Sequence, residues 1–309
     1  MSKIVGIGAN VYDTLMVLPN YPNEDTKLRA KGSKAAGGGP CATGLVAAAK
    51  LGGEVSFIGS MTDDDKANFL IRDFEKYGIG TDLITIHKGY DTFFSIVMLS
   101  EDTASRTIVF DKGNTPALSL NDKQKEAVKN AELLLVDGNE MPAAVEAARI
   151  AKENGTKVLL DAGGLYDGIK ELLALTDILI PSYEFSLGIT GAKTAEDAAK
   201  ILFDTYKPEV VVITKGKEGG IIYDGKEIIS YPAFKVEAVD SNGAGDVFHG
   251  AFAFAVQKGY NYHKAAIFSS AVSALKCTKM GSRAAVPSFD ETVEFLKERE
   301  ADEFKENLE

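Results

Sequence analysis

The sequence predicts an α/β protein built on a doubly wound, mainly parallel sheet flanked by helices. Three observations carry this. The short apolar runs Leu133–Val136, Val158–Leu160, Ile178–Ile180 and Val210–Thr214 are continuous rather than alternating, as expected of strands buried on both faces. Helical segments between them, such as Ala143–Asn154 and Ala195–Tyr206, are natural crossovers between parallel strands. A chain of 309 residues, 45% of them hydrophobic, is long enough to bury the core such a sheet needs.

Taken in order, Lys3–Gly8 reads as a buried strand, and Asn20–Ala36 is polar with no clear period. Pro40–Leu51 is an Ala-rich helix stopped by Gly52. Glu54–Gly59 is a strand. Asp63–Tyr77 places Ala67, Leu70, Ile71 and Phe74 at helical spacing and stops at Gly78. Thr92–Leu99 and Arg106–Phe110 alternate and are split by the polar Glu101–Ser105, which predicts an antiparallel hairpin. From about residue 121 helix and strand alternate. Ile221–Tyr223 and Glu227–Tyr231 flank the turn Asp224-Gly225. Phe234–Val239 reads as a further strand, followed by helices over Ala251–Gln257 and Tyr262–Cys277. No repeat or linker interrupts the chain. A single domain over 1–309 is expected, with segments near 12–36 and 88–113 forming a small antiparallel β lid.

The net charge of −11 argues against nucleic acid or an anionic membrane as partner. From Asp290 to Glu309 there are nine acidic and three basic residues, a net of −6, expected on a solvated helix. Cys41 and Cys277 make neither a disulfide framework nor a zinc pattern. No apolar run is long enough for a membrane span, and the first residues do not read as a signal peptide. A reducing cytoplasm is the expected location.

The sharpest motif is Asp240-Ser-Asn-Gly243-Ala244-Gly245-Asp246, between the predicted strand and an apolar helix. Glycines at such a turn let several N–H groups point at one place, and a helix N-terminus favours an anion. A carboxylate at Asp246 could accept the proton of an attacking hydroxyl while those N–H groups hold a phosphoryl group. The same residues also read as a helix cap and a turn. Asn10 and Asp13 follow the first strand, where open α/β sheets carry ligands. Gly37-Gly38-Gly39-Pro40 opens a helix and permits a close ligand. Thr214, Lys215 and Gly216, with Gly219 after them, end a strand where phosphates could lie. His249, three residues after Asp246, reads as packing or support. Gly6-Ile-Gly8 lacks the third glycine of a dinucleotide fingerprint, and no P-loop sequence occurs.

Together these residues resemble the PfkB-type, ribokinase-like carbohydrate kinase family, over nearly the whole chain. Gly38-Gly39 with the following helix and Leu51-Gly52 resemble its N-terminal signature. Val239 through Gly250 resemble its C-terminal signature, usually Asp-Thr-Thr-Gly-Ala-Gly-Asp. The resemblance implies a kinase with Asp246 as base and Gly243, Ala244 and Gly245 as anion hole. It implies a sugar held by Asn10, Asp13, Gly38 and Gly39, and ATP bordered by Thr214, Lys215, Gly216 and Gly219. It further implies Mg²⁺ and a β lid that often makes homodimers. Some positions depart from the pattern. Thr43 stands where many members bind substrate with Asn. The Asn-x-x-Glu that helps organise Mg²⁺ aligns with Ser182 and Phe185, with Glu184 adjacent but out of register. Asp240 is a candidate for a monovalent cation such as K⁺, or a cap for the turn.

Gly37–Pro40 with Thr43, Pro232–Val236, and Cys277-Thr with Gly281-Ser-Arg283 are most similar to the family's sulfofructose and other ketose kinases. The sulfonate-binding Arg and Asn fall at Asn139 and Phe110, so a neutral ketose or related monosaccharide is the expected substrate. A nucleoside kinase using Tyr12, Phe93 and Phe94 as a base slot is one alternative, and a non-catalytic sugar-binding regulator another.

Overall fold

A computed structural model describes residues 3–103 and 105–299. In chain order it runs β1 (Ile4–Ile7), β2 (Val11–Leu18), β3 (Gly32–Gly38), α1 (Pro40–Lys50), β4 (Val55–Thr62), α2 (Asp65–Lys76), β5 (Ile84–His87), β6 (Phe94–Ser100) and β7 (Arg106–Asp111). Then follow α3 (Asp122–Lys129), β8 (Leu133–Val136), α4 (Met141–Asn154), β9 (Lys157–Ala162), α5 (Ile169–Leu173), β10 (Ile178–Pro181), α6 (Tyr183–Thr190), α7 (Ala195–Tyr206) and β11 (Val210–Thr214). The chain closes with β12 (Gly220–Tyr223), β13 (Ile228–Tyr231), α8 (Ala244–Gln257), α9 (Tyr262–Cys277) and α10 (Phe289–Glu298).

The large sheet has the order β13-β12-β11-β10-β9-β8-β1-β4-β5. It is parallel from β5 to β11, with β12 and β13 added antiparallel. Its continuous apolar runs have the predicted cause. Leu133, Leu135, Ile178 and Ile180 face α1, α2, α8 and α9, while Leu134, Val136, Leu179 and Val211 face α3 to α7. Both faces are covered, so both sets of side chains are apolar.

The second sheet has the order β3-β2-β6-β7. Its outer pairings are antiparallel and its central pairing, β2 with β6, is parallel. The segments flagged near 12–36 and 88–113 supply most of it. The region read as polar and aperiodic ends in β3, and β5 is a strand that the sequence did not suggest.

Phe234–Val239 is not a strand. Its backbone finds a different acceptor: Val239 N and Asp240 N both donate to the Cys277 carbonyl, at 2.8 and 3.1 Å. Its apolar residues Phe234 and Val236 pack on the α8–α9–α10 core instead, with Phe234 edge-on to Phe295 at 5.5 Å. The acidic C-terminal stretch forms α10 as far as Glu298, and its end lies outside the described residues.

Candidate active site

β1 leads through α1 to β4 on one side, while β8 to β11 lie on the other. The order therefore reverses at β1, and ligands in such sheets bind at the C-terminal strand ends beside that point. Asn10 follows β1 there, Asp137 follows β8, and Asp161 sits near the end of β9.

Two helices aim their N-termini at this crevice. Six helices are capped by a side chain: Asp64, Asn121, Ser182, Thr194, Asn261 and Ser288 each accept from a first-turn N–H, while α4 and α5 are not. The helices α1 and α8 start on Gly39 and Gly243, also with no capping side chain. Gly243 adopts φ 76°, a conformation that a side chain would strain. The two helices touch backbone to backbone, since a Cβ on Gly250 would stand 1.9 Å from the Gly44 carbonyl oxygen. The two starts differ: in α1 the Cys41 and Ala42 N–H groups already donate to Asp137 and to the Ala9 carbonyl, so the free first-turn donors that suit an anion are those of α8.

Asp246 lies in the first turn of α8, half-buried. Burial, and next the charge of Asp161, push its carboxyl up to about 7 against some relief from His249. Asp161 is itself raised well above the carboxylate range, by burial and by Asp137. Asp137 accepts from the N–H groups of Ala9 (2.8 Å), Cys41 (3.0 Å) and Asn139 (2.9 Å), and so ties the end of β1 to the start of α1. His249 supports the turn from below. Its Nδ1 is 2.7 Å from the Gly245 carbonyl oxygen and 3.2 Å from Asp161, and its Nε2 is 3.0 Å from the Ile180 carbonyl oxygen. Both ring nitrogens face oxygens, an arrangement that calls for two protons across His249 and Asp161.

The expected sugar residues converge. Asp13 is buried and accepts from Ser95 Oγ at 2.6 Å. Gly38 lies so close that a Cβ there would stand 2.0 Å from Asp13 Oδ2. Arg283, 3% exposed, holds the group together: it donates to Asn10 Oδ1 (2.8 Å), the Gly38 carbonyl (2.5 Å) and Asp73 Oδ2 (2.8 Å). Thr43 is fully buried with its methyl toward Gly243, and its hydroxyl has no partner among the described residues. Beside Asn10 lies a cavity of about 160 Å³ lined by Met61, Phe93, Lys112, Asn139 and Glu140.

Thr214, Lys215 and Gly216 stand at the end of β11, where Lys215 N donates to the Gly219 carbonyl at 2.8 Å. Ser182 bridges to Thr214 and caps α6, and Phe185 is buried in the core. Glu184 is exposed on the first turn of α6. Among the described residues no three His, Cys, Asp or Glu side chains form an ion cage. The ammonium of Lys276 lies against Asp240, the candidate for a monovalent cation or for a cap of the turn.

Asp137, Asp161 and Arg283 were not among the expected site residues. The two aspartates had a signal: each directly follows a predicted apolar strand. Arg283 stood only in the Gly281-Ser-Arg283 resemblance, and its contacts gave no signal, because its partners are 210 to 273 residues away in sequence.

The sequence profile of the pfkB family carbohydrate kinase matches residues 1–288. The chain belongs to this family. Among carbohydrate kinases, it is 28% identical over 297 residues to a ribokinase of Haemophilus influenzae, covering 94% of this chain and 97% of that one. It is 30% identical over 297 residues to a 5-dehydro-2-deoxygluconokinase of Clostridium perfringens, covering 87% and 86%. An Arabidopsis thaliana ribokinase solved with ribose and ATP superposes with a TM-score of 0.86 at 25% identity, over 96% of this chain and 99% of that one. The ribokinase-like fold expected of the family is the fold observed. Among the described residues, no helix of this kinase is long and apolar enough to cross a membrane.

Proposed function

We propose that this carbohydrate kinase transfers the γ-phosphoryl group of ATP to a hydroxyl of a small sugar, a ketose or related monosaccharide, with Asp246 as the base. The observation that carries this reading is the meeting of a proton-accepting carboxylate with the uncapped N-terminus of α8. Asp246 takes the hydroxyl proton while the N–H groups of Gly243, Ala244 and Gly245 steady the charge on the phosphoryl group. Asn10, Asp13, Gly38, Gly39 and Thr43 hold the sugar, with the buried Thr43 hydroxyl, which has no partner among the described residues, as a group for one of its oxygens. ATP lies across the ends of β9 and β10 toward Thr214, Lys215, Gly216 and Gly219.

Hard carboxylate oxygens in a cleft of excess negative charge suit Mg²⁺, which neutralises phosphate charge when bound. Among the described residues no three His, Cys, Asp or Glu side chains form an ion cage, so Mg²⁺ would come with the nucleotide, and Asp161 and Asp137 would be the carboxylates to hold it. Glu184 is the further carboxylate at that sheet end.

Phosphorylation of a neutral sugar fits the cavity better than the two alternatives of this fold. A sulfonate would want an Arg where Asn139 lines it. A nucleoside base would want an aromatic slot, but Tyr12 packs edge-on to Phe69 and Lys66 lies over Phe94, which leaves Phe93 as the one of the three on the cavity wall. A non-catalytic regulator would have no need of Asp246. ADP release measured over ketoses, pentoses, sulfosugars and nucleosides tests the reading. Turnover confined to sulfosugars or nucleosides, or absent for all while sugars still raise the melting temperature, overturns it. Asp13→Asn should raise the sugar KM about 10- to 100-fold, the worth of a hydrogen bond to a charged group, and leave the KM for ATP within about twofold.

The small sheet acts as a lid and joins two copies in a homodimer. End strand β7 exposes Ile108 at 46%, Val109 at 56% and Phe110 at 60%, an apolar edge that solvent alone disfavours. Val109→Lys with Phe110→Asp should shift the protein from dimer to monomer in sedimentation velocity. Cytoplasmic residence fits the two free thiols, Cys41 and Cys277.

A further inference from the structure

The turn that carries the anion hole rests on a buried cation. Lys276 lies in the last turn of α9 and is 0% exposed. Its Nζ donates to the Asp240 carbonyl at 2.7 Å and lies 3.8 Å from Asp240 Oδ2. Burying an ammonium is costly unless oxygens replace its water. Burial does depress this amine, and Asp240 is the largest influence holding it up.

Asp240 is the root of the turn. Its Oδ1 accepts from Asn242 N at 2.8 Å, its Oδ2 accepts from Gly281 N at 2.8 Å, and its own N–H donates to the Cys277 carbonyl at 3.1 Å. A few residues on, Gly243 presses on Ser282, where a Cβ would stand 2.7 Å from the Ser282 Cβ. Two loops, 239–243 and 277–282, are therefore laced together around one positive charge. A carbonyl oxygen and a carboxylate oxygen, converging behind a turn, are the ligands that a dissociable monovalent cation would take. Here both face Nζ, and the Asp240 carboxylate is further engaged by two backbone donors. The site does not fit an added ion.

We infer that Lys276 is a covalently tethered cation that holds the Asp240–Gly245 turn in its anion-binding form and makes the kinase independent of monovalent cations. Lys276 does not reach the reacting atoms. It is a positioning residue, and its effect falls on turnover more than on sugar binding, because Asn10 and Asp13 stand on other elements. The inference rests on the reading of Gly243–Asp246 as the site of phosphoryl transfer.

The experiment measures sugar-dependent ADP release in choline chloride buffer, replacing choline stepwise with K⁺, Na⁺ or NH₄⁺ at constant ionic strength. The intact enzyme should change by less than about twofold. Lys276→Ala should lose about 10²-fold in kcat, the effect of an ångström-scale misplacement, with the sugar KM within a few-fold. K⁺ or NH₄⁺ should restore at least about tenfold of that loss by entering the vacated polar space. The same ions should raise the melting temperature of Lys276→Ala over choline but leave that of the intact enzyme unmoved. Lys276→Met, which keeps the stem and removes the charge, serves if the alanine variant does not fold. Strong activation of the intact enzyme by K⁺ overturns the inference, as does a Lys276 variant with normal turnover, or one that lost activity and is not restored by any cation. Failure of the Asp246 reading shows differently, as normal turnover in Asp246→Asn, and leaves the cation response of the intact enzyme to be judged by itself.

Discussion

Asp246→Asn is expected to fold, to bind ATP and to lose roughly 10²–10⁴-fold or more in turnover, the range for loss of a general base. The amide keeps the shape and the helix position but cannot take a proton. The environment of Asp246 makes two further results specific to it. Its carboxyl titrates at about 7 in the free protein, so kcat/KM should fall as pH drops through that region. Stability should move the opposite way. In the unfolded chain the group ionises near 3.8, in the fold near 7. Its contribution to stability is therefore full below about pH 4 and is lost as pH rises through 7. The Asn variant carries no such charge. Its melting temperature should exceed that of the parent at pH 8, and the gap should close toward pH 4. A thermal-shift series over pH, run beside the turnover assay, reads both. A variant that is inactive but also less stable at pH 8 would mark Asp246 as a structural cap instead.

Arg283→Ala should have the second-largest effect, on stability and on sugar binding together. The guanidinium is buried and donates to Asp73, Asn10 and the Gly38 carbonyl. Its removal leaves the Asp73 carboxylate unpaired in a poorly solvated place, and breaking one partner of such a pair costs about 3–5 kcal/mol. It also frees Asn10 and the β3 end, so the sugar KM should rise by more than the KM for ATP. Lys at this position offers a point charge without the fork and should restore little. Urea denaturation and steady-state kinetics of the Ala and Lys variants check these outcomes. A midpoint within error of the parent would show that the buried fork holds nothing.

The parallel sheet was legible because its strands are buried on both faces and carry unbroken apolar runs. The small sheet was less so, for reasons that belong to the site. Strand β2 buries Val11, Asp13 and Leu15 on one face, and the buried carboxylate breaks the apolar pattern at the position the chemistry needs. Strand β3, Gly-Ser-Lys-Ala-Ala-Gly-Gly, has little β propensity. Its glycines answer to Arg283 and Asp13, whose side chains fill the space where Cβ atoms of Gly37 and Gly38 would stand. Phe234–Val239 erred in the other direction, since alternating apolar residues can pack on helices without a sheet edge. Asp246 and the glycines before it were readable from local spacing. The residues that brace them were not, because Arg283 and Lys276 meet the site only through long-range packing, while Asp161 had only its place after a predicted strand.

The most direct test follows the γ-phosphoryl group itself. In a single turnover at pH 8 with ATP labelled at the γ-position and a sugar accepted by the enzyme, the intact protein should pass the label to the sugar. Asp246→Asn should retain it on ATP over the same interval. Label reaching the sugar at the same rate in both would contradict the assignment of Asp246 as the base.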